Sequence, residues 1–340
     1  MKHLLKKIYI LLRNFSKLFI LLLLLPLIYN AIPIQKGASS YYLSKSTPKT
    51  LINTLQKSGY NVGLADQIVL YFIPLPKKGW HLLLDVPTSR FEFLHALSHT
   101  NHELMKIKLY AGETHTELSK RLAKDLHLDA KKLKKSYEAL SQFGEADLYA
   151  GEYHVPRNFK ETSIIKLLYT LSNDKFKHFK EENLPQKISK SSLKRHLTIA
   201  SIIQKETNNK EEMFLVSSVI QNRLSKNMKL QMDATLNYGK YAHQVVTRQR
   251  IKEDNSTYNT YKHKGIPPAP LSTVSLNALK ASLYPADTSY LFFMLSRSGK
   301  HNFATTYQEH LKNIRAFKEN HPKNKNEKKK SESKEKSAKH

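Results

Sequence analysis

Glu206 is the side chain of this sequence best placed for acid–base chemistry. Three isoleucines precede it on one face of a predicted helix, at the spacing i, i+3, i+4 that the glutamate continues at i+7: Ile199, Ile202 and Ile203. A carboxyl group packed among isoleucines loses solvation of its charged form, so its pKa rises and it can hold a proton near neutral pH. That is the property of a general acid. On this segment alone, the favoured interpretation is an ordinary glutamate that ends an apolar stripe in solvent or beside a lysine.

Polar and aromatic residues follow Glu206 in an order that suits a sugar-binding groove. A second predicted helix, over 214–224, carries the amide of Asn222 toward its buried side, and further amide, acidic, hydroxyl and aromatic side chains come after it: Gln231, Asp233, Thr235, Tyr258, Asn259 and Tyr261. Aromatic rings with a few placed polar groups are typical of small-ligand sites. Pro267, Pro268 and Pro270 stiffen the next stretch into an extended groove wall. Each piece alone could be structural, but their co-occurrence favours a glycan site.

Several ordered motifs between about 191 and 315 resemble the YceG-like family of endolytic murein transglycosylases. They are Ala200–Thr207, Ser218–Leu224, Leu230–Thr235, Tyr258–Tyr261, Gly265–Pro268, Pro285–Thr288, and the block from His301 through Thr306 to His310. In this resemblance Glu206 occupies the position of the catalytic glutamate. Gln204 stands where family members commonly have another acidic residue, which leaves Glu206 as the only carboxylate of its motif. The family's Asp-Pro-Thr is Asp233-Ala234-Thr235 here, and its Pro-Pro-Gly is Pro267-Pro268-Ala269.

The resemblance implies cleavage of the β-1,4 bond between N-acetylmuramic acid and N-acetylglucosamine, with the muramoyl C6 hydroxyl as nucleophile and a 1,6-anhydro end as product. One carboxylate suffices for that reaction, whereas glycoside hydrolysis normally needs two. The hypothesis is that Glu206 acts as acid and then as base, while the substrate-binding candidates position the glycan: Gln231, Asp233, Thr235, Tyr258, Asn259, Tyr261, Pro267, Pro268 and Asn222. Asp233 as a second catalytic carboxylate is the alternative within the site. No cofactor and no metal are expected, since His301 and His310 lack a recognised ligand spacing.

The charge balance predicts attraction to polyanions. Lysine and arginine outnumber the acidic residues by 56 to 28 in 340 residues, which gives a formal charge of +28. Nucleic acid is not expected as a partner, because no RNA-binding or helix-turn-helix signal is present. The absence of cysteine excludes disulfides and cysteine nucleophiles. Much of the excess is lysine spread over the whole chain, which is not typical of a dedicated binding patch.

The N-terminus predicts a single membrane span. An apolar run over 18–34 follows five basic residues, namely Lys2, Lys6, Lys7, Arg13 and Lys17. Its length suits a bilayer, and the basic flank predicts a cytoplasmic N-terminus with the bulk of the chain in the periplasm of a bacterium, anchored in the inner membrane. A cleaved signal peptide is the competing interpretation. No clear small-x-small cleavage site follows the run, which favours an uncleaved anchor.

The fold class predicted for the whole chain is α+β, with an N-terminal transmembrane helix, small LysM-like α/β units and a mixed α+β YceG-like catalytic domain. A degenerate repeat supports two small units. The predicted ranges are a basic N-terminus 1–17, the span 18–34, a linker 35–48, a LysM-like glycan-binding region 49–175, a hinge 176–190, the catalytic domain 191–317 and a disordered basic tail 318–340. Expected partners are peptidoglycan strands, the inner membrane and, as a further candidate, penicillin-binding protein synthases. The alternative function is a non-catalytic peptidoglycan-binding scaffold for such synthases.

Overall fold

The computed structural model describes residues 2–84, 87, 89–98, 104–157, 159–184 and 188–319. The fold is mixed α+β, as predicted. Its helices are α1 Lys2–Ala31, α2 Pro48–Lys57, α3 Leu64–Val69, α4 Arg90–Ser98, α5 His115–Leu126, α6 Ala130–Leu140, α7 Glu161–Asn183, α8 Lys190–Glu206, α9 Lys210–Ser225, α10 Asp233–Leu236, α11 Arg248–Glu253, α12 Leu276–Leu283 and α13 Tyr307–Glu319. Its strands are β1 Ser40–Leu43, β2 Gly79–Leu82, β3 Leu104–Leu109, β4 Gly151–Pro156, β5 Phe292–Leu295 and β6 His301–Ala304.

The N-terminal apolar run belongs to one long helix. Of the residues that the structure describes, Tyr9–Ala31 is the single helical segment long and apolar enough to cross a membrane, and it is not buried inside the protein. The helix starts at Lys2 rather than near residue 18, because leucine, lysine and arginine of the basic flank are all good helix formers. A single-pass anchor and a signal sequence share these properties. Most of the predicted basic tail, 320–340, lies outside the described residues.

The chain divides into two compact units. The first comprises the residues up to Ile107 together with Glu152–Lys175, and the second comprises Lys108–Gly151 together with the residues from Phe176 onward. The predicted region 49–175 therefore contributes to both units. The division into domains derived from the sequence stays a prediction.

The first unit is built on the antiparallel pair β1–β2, in which Tyr42 lies opposite Trp80. The hydroxyl of Thr47 caps the first turn of α2, and apolar side chains of α2 and α4 fill the core beneath the strands. Fully buried members of this core are Leu43, Leu51, Leu55, Phe93, Leu94 and Leu97. Residues 40–43, which the sequence analysis placed in a linker, form β1 because Tyr41 and Leu43 alternate toward this core.

The element order of the two predicted repeats is the same. β1, α2, α3, β2 and α4 follow one another as strand, helix, helix, strand and helix, and β3, α5, α6, β4 and α7 repeat that order. β1 pairs with β2, and β3 pairs with β4. The likeness of these segments to LysM modules stays a prediction.

The core of the second unit is made by α8, α9 and α12, with the β5–β6 hairpin beside them. α8 is tied to the start of α12 by Gln204, whose Oε1 accepts hydrogen bonds from the main-chain N–H and the hydroxyl of Ser275 at 3.2 and 2.6 Å. Its Nε2 donates to Asn208 at 2.9 Å. An amide both accepts and donates at this buried position, which explains how glutamine serves here as a structural link.

Candidate active site

Glu206 is the last residue of α8. Ile199, Ile202 and Ile203 are fully buried on the same helix, as their spacing predicts. Burial of its carboxyl group raises the pKa of Glu206 to about 7, and the negative charge of Asp233 acts in the same direction. One hydrogen bond opposes this shift, because the main-chain N–H of Ala234 donates to Oε1 of Glu206 at 3.4 Å. The C-terminal end of a helix also disfavours a negative charge. Glu206 therefore has a pKa suited to both giving and taking a proton near neutral pH.

The carboxyl group of Glu206 faces a cavity of about 360 Å³ in the second unit. Four of the residues singled out from the sequence line it together, namely Glu206, Gln231, Asp233 and Tyr261. The other lining residues are Arg223, Leu230, Met232, Phe293, Met294, Leu295 and His301. The cavity thus combines two acidic side chains, a guanidinium group, an imidazole and two aromatic rings around one space.

Asp233 and Tyr261 form a hydrogen-bonded pair beside Glu206. The hydroxyl of Tyr261 donates to Oδ1 of Asp233 at 2.5 Å. Burial, followed by this bond to a carboxylate, raises the pKa of Tyr261, so the phenol keeps its proton. Asp233 is the first residue of α10 and is exposed to the cavity. The pair places an oriented carboxylate next to Glu206.

Asn259 and Thr235 hold the two loops that carry this pair. Asn259 is fully buried, and its Nδ2 donates to the carbonyl oxygens of Ile251 and Asp254 at 2.9 and 2.7 Å. Its Oδ1 accepts the main-chain N–H of Tyr261 at 3.0 Å. The buried hydroxyl of Thr235 lies 2.9 Å from that of Thr260 and donates to the carbonyl of Met232 at 2.7 Å. Neither side chain lines the cavity around Glu206, and both stabilise its walls.

Asn222 and Arg223 connect α9 to the wall formed by β5. Asn222 Nδ2 donates to the carbonyl oxygens of Thr288 and Tyr290, and Arg223 Nε donates to that of Leu291 at 2.6 Å. Arg223 also donates to the carbonyl of Leu230 at 2.7 Å, on the opposite wall. Arg223 lines the cavity whereas Asn222 does not. The sequence analysis selected Asn222 and missed Arg223, because the helical spacing of α9 does not show which of the two adjacent residues faces the cavity.

His301 is held in the cavity wall by Glu212. The Nδ1 of His301 lies 2.7 Å from Oε2 of Glu212, and the main-chain N–H of His301 donates to Oε1 at 3.0 Å. Thr207, directly after Glu206, donates its hydroxyl proton to the same carboxylate at 3.1 Å. The side chains of His301 and Glu212 are each about 8 % exposed. The sequence analysis considered His301 only as a metal ligand without a recognised spacing, and it did not select Glu212, because the two residues are distant in sequence.

The remaining predicted residues lie outside the Glu206 cavity. Tyr258 stacks on Tyr238 at 5.0 Å between ring centroids, and with Thr235 it lines a neighbouring cavity of about 400 Å³. Pro267 is buried and Pro268 is exposed. Their roles in substrate binding stay predictions. Within the described ranges, no group of three or more acidic or histidine side chains is arranged to hold a metal ion.

The family model of the YceG-like family matches residues 44–316 of the chain. The chain belongs to the YceG-like family. An endolytic murein transglycosylase of Bacillus subtilis (strain 168) is 35 % identical over 187 residues, covering 54 % of this chain and 49 % of the relative. One of Streptococcus pneumoniae serotype 2 (strain D39 / NCTC 7466) is 32 % identical over 124 residues, covering 35 % and 22 %. The chain thus spans about half the length of the Bacillus relative and less of the streptococcal one.

A solved YceG-like protein from Listeria monocytogenes covers 80 % of this chain and 98 % of its own length, at 23 % identity and a TM-score of 0.48.

Proposed function

We propose that this YceG-like protein is a membrane-anchored endolytic peptidoglycan transglycosylase that cleaves the β-1,4 bond between N-acetylmuramic acid and N-acetylglucosamine. The relatives named endolytic murein transglycosylases support this activity. The observation that carries the proposal is the carboxyl group of Glu206, which faces a polar cavity and has a pKa raised to about 7. The cellular outcome would be termination of nascent glycan strands.

The reaction uses Glu206 twice. Its protonated carboxyl group donates a proton to the glycosidic oxygen as the bond to C1 of the muramoyl residue breaks. The C6 hydroxyl of the same residue attacks C1, and the Glu206 carboxylate takes the hydroxyl proton, which restores the acid. The products are a 1,6-anhydromuramoyl end and a free 4-hydroxyl on the N-acetylglucosamine side. The reaction consumes no water and requires no second catalytic carboxylate, in contrast to glycoside hydrolysis.

Asp233 and Tyr261 position the sugar in this proposal. The hydrogen bond from Tyr261 orients the Asp233 carboxylate, whose charge helps Glu206 to keep its proton. Gln231 offers an amide to hydroxyl or acetamido groups at the same cavity. The alternative within the site gives Asp233 a catalytic role as the base that activates water. That reaction would leave reducing ends instead of anhydro ends.

Mass spectrometry of products from purified sacculi tests the proposal. The wild-type chain should release fragments with 1,6-anhydro ends, and Glu206→Gln should release none above background. Glu211→Gln is the matched control, because it makes the same chemical change at an exposed position of α9 that does not line the cavity. Full release by Glu206→Gln would overturn the assignment of Glu206. Reducing ends from the wild-type chain would support hydrolysis through Asp233.

We also propose that α1 anchors the chain in the inner membrane with its bulk in the periplasm. The support is the length and composition of Tyr9–Ala31 and the basic residues on its N-terminal side. Penicillin-binding protein synthases are candidate partners at that location. We expect the protein to stay in the membrane fraction after a high-salt wash. We also expect protease to cut the C-terminal bulk only when the periplasm is opened. Release into the soluble periplasm would favour a cleaved signal sequence.

A glycan-binding scaffold without catalysis is the second candidate, and one surface of the first unit favours it. Trp80 on β2 is 40 % exposed, stacks on His154 at 4.2 Å between ring centroids and lies 5.5 Å from the ring of Tyr42. Exposed stacked rings can pack on the faces of sugars. Binding to sacculi that survives Glu206→Gln but is weakened by Trp80→Ala would assign this surface to glycan. Absence of anhydro products from the wild-type chain would make scaffolding the main function.

A further inference from the structure

A row of large apolar side chains is exposed along α3 and the turn that follows it. Leu64, Ile68 and Phe72 follow one another at intervals of four residues and are 80, 62 and 82 % exposed, and Tyr71 beside them is 67 % exposed. We call these four residues the α3 patch. The opposite side of α3 is buried, with Asp66 at 1 % and Leu70 at 1 % exposure. Grouped apolar side chains on a protein surface mark a site of interaction.

The end of α1 is fixed directly against α3 and α4. The hydroxyl of Tyr29 donates to Oδ1 of Asp66 at 2.8 Å, and Arg90 of α4 donates to the same oxygen at 2.9 Å. The main-chain N–H of Phe91 donates to the side-chain oxygen of Asn30 at 2.9 Å. The last turn of α1 is therefore part of the first unit and not a free tether.

The residues that follow α1 are also hydrogen-bonded to the first unit. The side-chain amide of Asn61, just before α3, donates to the carbonyl of Pro33 at 3.0 Å and accepts the main-chain N–H of Gln35 at 2.7 Å. The side chain of Ile34 packs against the core of the same unit. These contacts fix the depth of α3 relative to the end of α1.

The length of α1 determines the position of α3 relative to the bilayer. The 23 residues of Tyr9–Ala31 span about 34 Å, which exceeds the hydrocarbon core of about 30 Å by roughly one turn of helix. If the N-terminal end lies at the inner face, Tyr29 reaches the outer interface of the bilayer. α3 contacts Tyr29 through Asp66, so it lies at the same level. Its apolar side chains lie on the face opposite Asp66 and are exposed, so at this level they are free to contact the lipid around α1.

We propose that the α3 patch is a second membrane contact, in which Leu64, Ile68, Tyr71 and Phe72 insert into the outer interfacial layer of the bilayer that α1 crosses. A short helix with aromatic and aliphatic side chains on its free face is suited to this layer, where aromatic rings are favoured. The occupant of the patch is thus lipid and not a protein partner. The inference rests on the proposed anchoring by α1. It adds that the first unit lies on the membrane surface in a fixed orientation.

Site-directed spin labelling of the full chain in liposomes tests this contact. The chain has no cysteine, so each label reports one position. The test variants are Ile68→Cys and Phe72→Cys, at exposed sites where a label displaces no core atom. Lys49→Cys, at the exposed first turn of α2, is the aqueous reference in the same unit, and Leu22→Cys in α1 is the reference for the bilayer. Accessibility to oxygen is compared with accessibility to a water-soluble nickel chelate.

The expected result is a ratio of oxygen to nickel accessibility at positions 68 and 72 that is severalfold higher than at position 49 and lower than at position 22. Water-like values at 68 and 72, with a lipid-like value at 22, would overturn the second contact and leave the anchor intact. Low accessibility to both reagents at 68 and 72 would show a protein-covered patch, which also overturns it. A water-like value at 22 would refute the anchor itself, and the second contact with it.

Discussion

The main-chain N–H of Ala234 donates a hydrogen bond to Oε1 of Glu206. The Asp-Pro-Thr motif that residues 233–235 resemble has proline at this position, and proline has no N–H to donate. This chain therefore supplies the carboxylate form of Glu206 with a stabilising contact that an Asp-Pro-Thr motif cannot make. Because the bond opposes the effect of burial, it lowers the pKa of Glu206 from the value that burial and Asp233 alone would set.

Replacement of Ala234 by proline should raise the pKa of Glu206. Position 234 is the second residue of α10, where proline is compatible with a helix start. Since protonated Glu206 is the acid in the proposed reaction, the alkaline limb of the pH profile of kcat should move up by as much as about one pH unit, the equivalent of one net hydrogen bond. Initial rates of anhydro-product formation across pH measure the limb. Ala234→Gly keeps the N–H and should leave the limb in place; an equal shift in both variants would contradict the role of this bond.

Asp233→Asn should move the same limb in the other direction. The charge of Asp233 raises the pKa of Glu206, so its removal lowers that pKa and makes the acid form scarcer at neutral pH. The expected profile keeps activity at acidic pH and loses it earlier as pH increases. The asparagine still accepts the hydrogen bond from Tyr261, which makes it a close match in shape. A rate that falls by several orders of magnitude at every pH would instead show that Asp233 takes part in the chemistry.

Glu212→Gln should destabilise the protein more at neutral pH than at acidic pH. Although burial acts to raise it, hydrogen bonds from His301 and Thr207 lower the pKa of Glu212. A carboxyl group with a lowered pKa in the folded state contributes stability above its ordinary pKa of about 4.3, and this contribution disappears as pH falls through the folded-state value. The difference in Tm between wild type and variant should therefore be present at pH 7 and shrink in acid. A difference that is independent of pH would mean that packing, and not ionisation, is responsible.

Asn259→Ala should destabilise the second unit without removing any group from the Glu206 cavity. The substitution leaves the carbonyl oxygens of Ile251 and Asp254 and the N–H of Tyr261 without their Asn259 partner. The cost in the free energy of unfolding is about 1–3 kcal/mol for each of these groups that water cannot reach. Urea titration followed by circular dichroism gives this free energy. Lys264→Ala, on the exposed part of the same loop, should change it little. Equal effects of the two substitutions would show that the Asn259 bonds do not brace the loop.

The helical face that carries Glu206 was predictable because it depends on local periodicity alone. Spacing predicted the buried isoleucines of α8, and polar and aromatic composition together with the family resemblance pointed to Asp233 and Tyr261. Asn259 and Thr235 are buried and hydrogen-bonded to neighbouring segments, which the sequence did not predict, and their roles in substrate binding stay predictions. Arg223 and the Glu212–His301 pair were missed because their positions depend on contacts between α9 and the β5–β6 hairpin, which no local pattern encodes. β1 was missed for its short length.

A hydrogen bond between the hydroxyl groups of Thr235 and Thr260 joins the two segments that carry Asp233 and Tyr261. Because this pair is buried and also bonded to Met232, the segments are ordered before any ligand arrives. Preorganised walls lose little conformational entropy on association. A short glycan fragment or a rigid mimic of the reacting sugar should then bind with an affinity that depends mainly on its own contacts with the cavity.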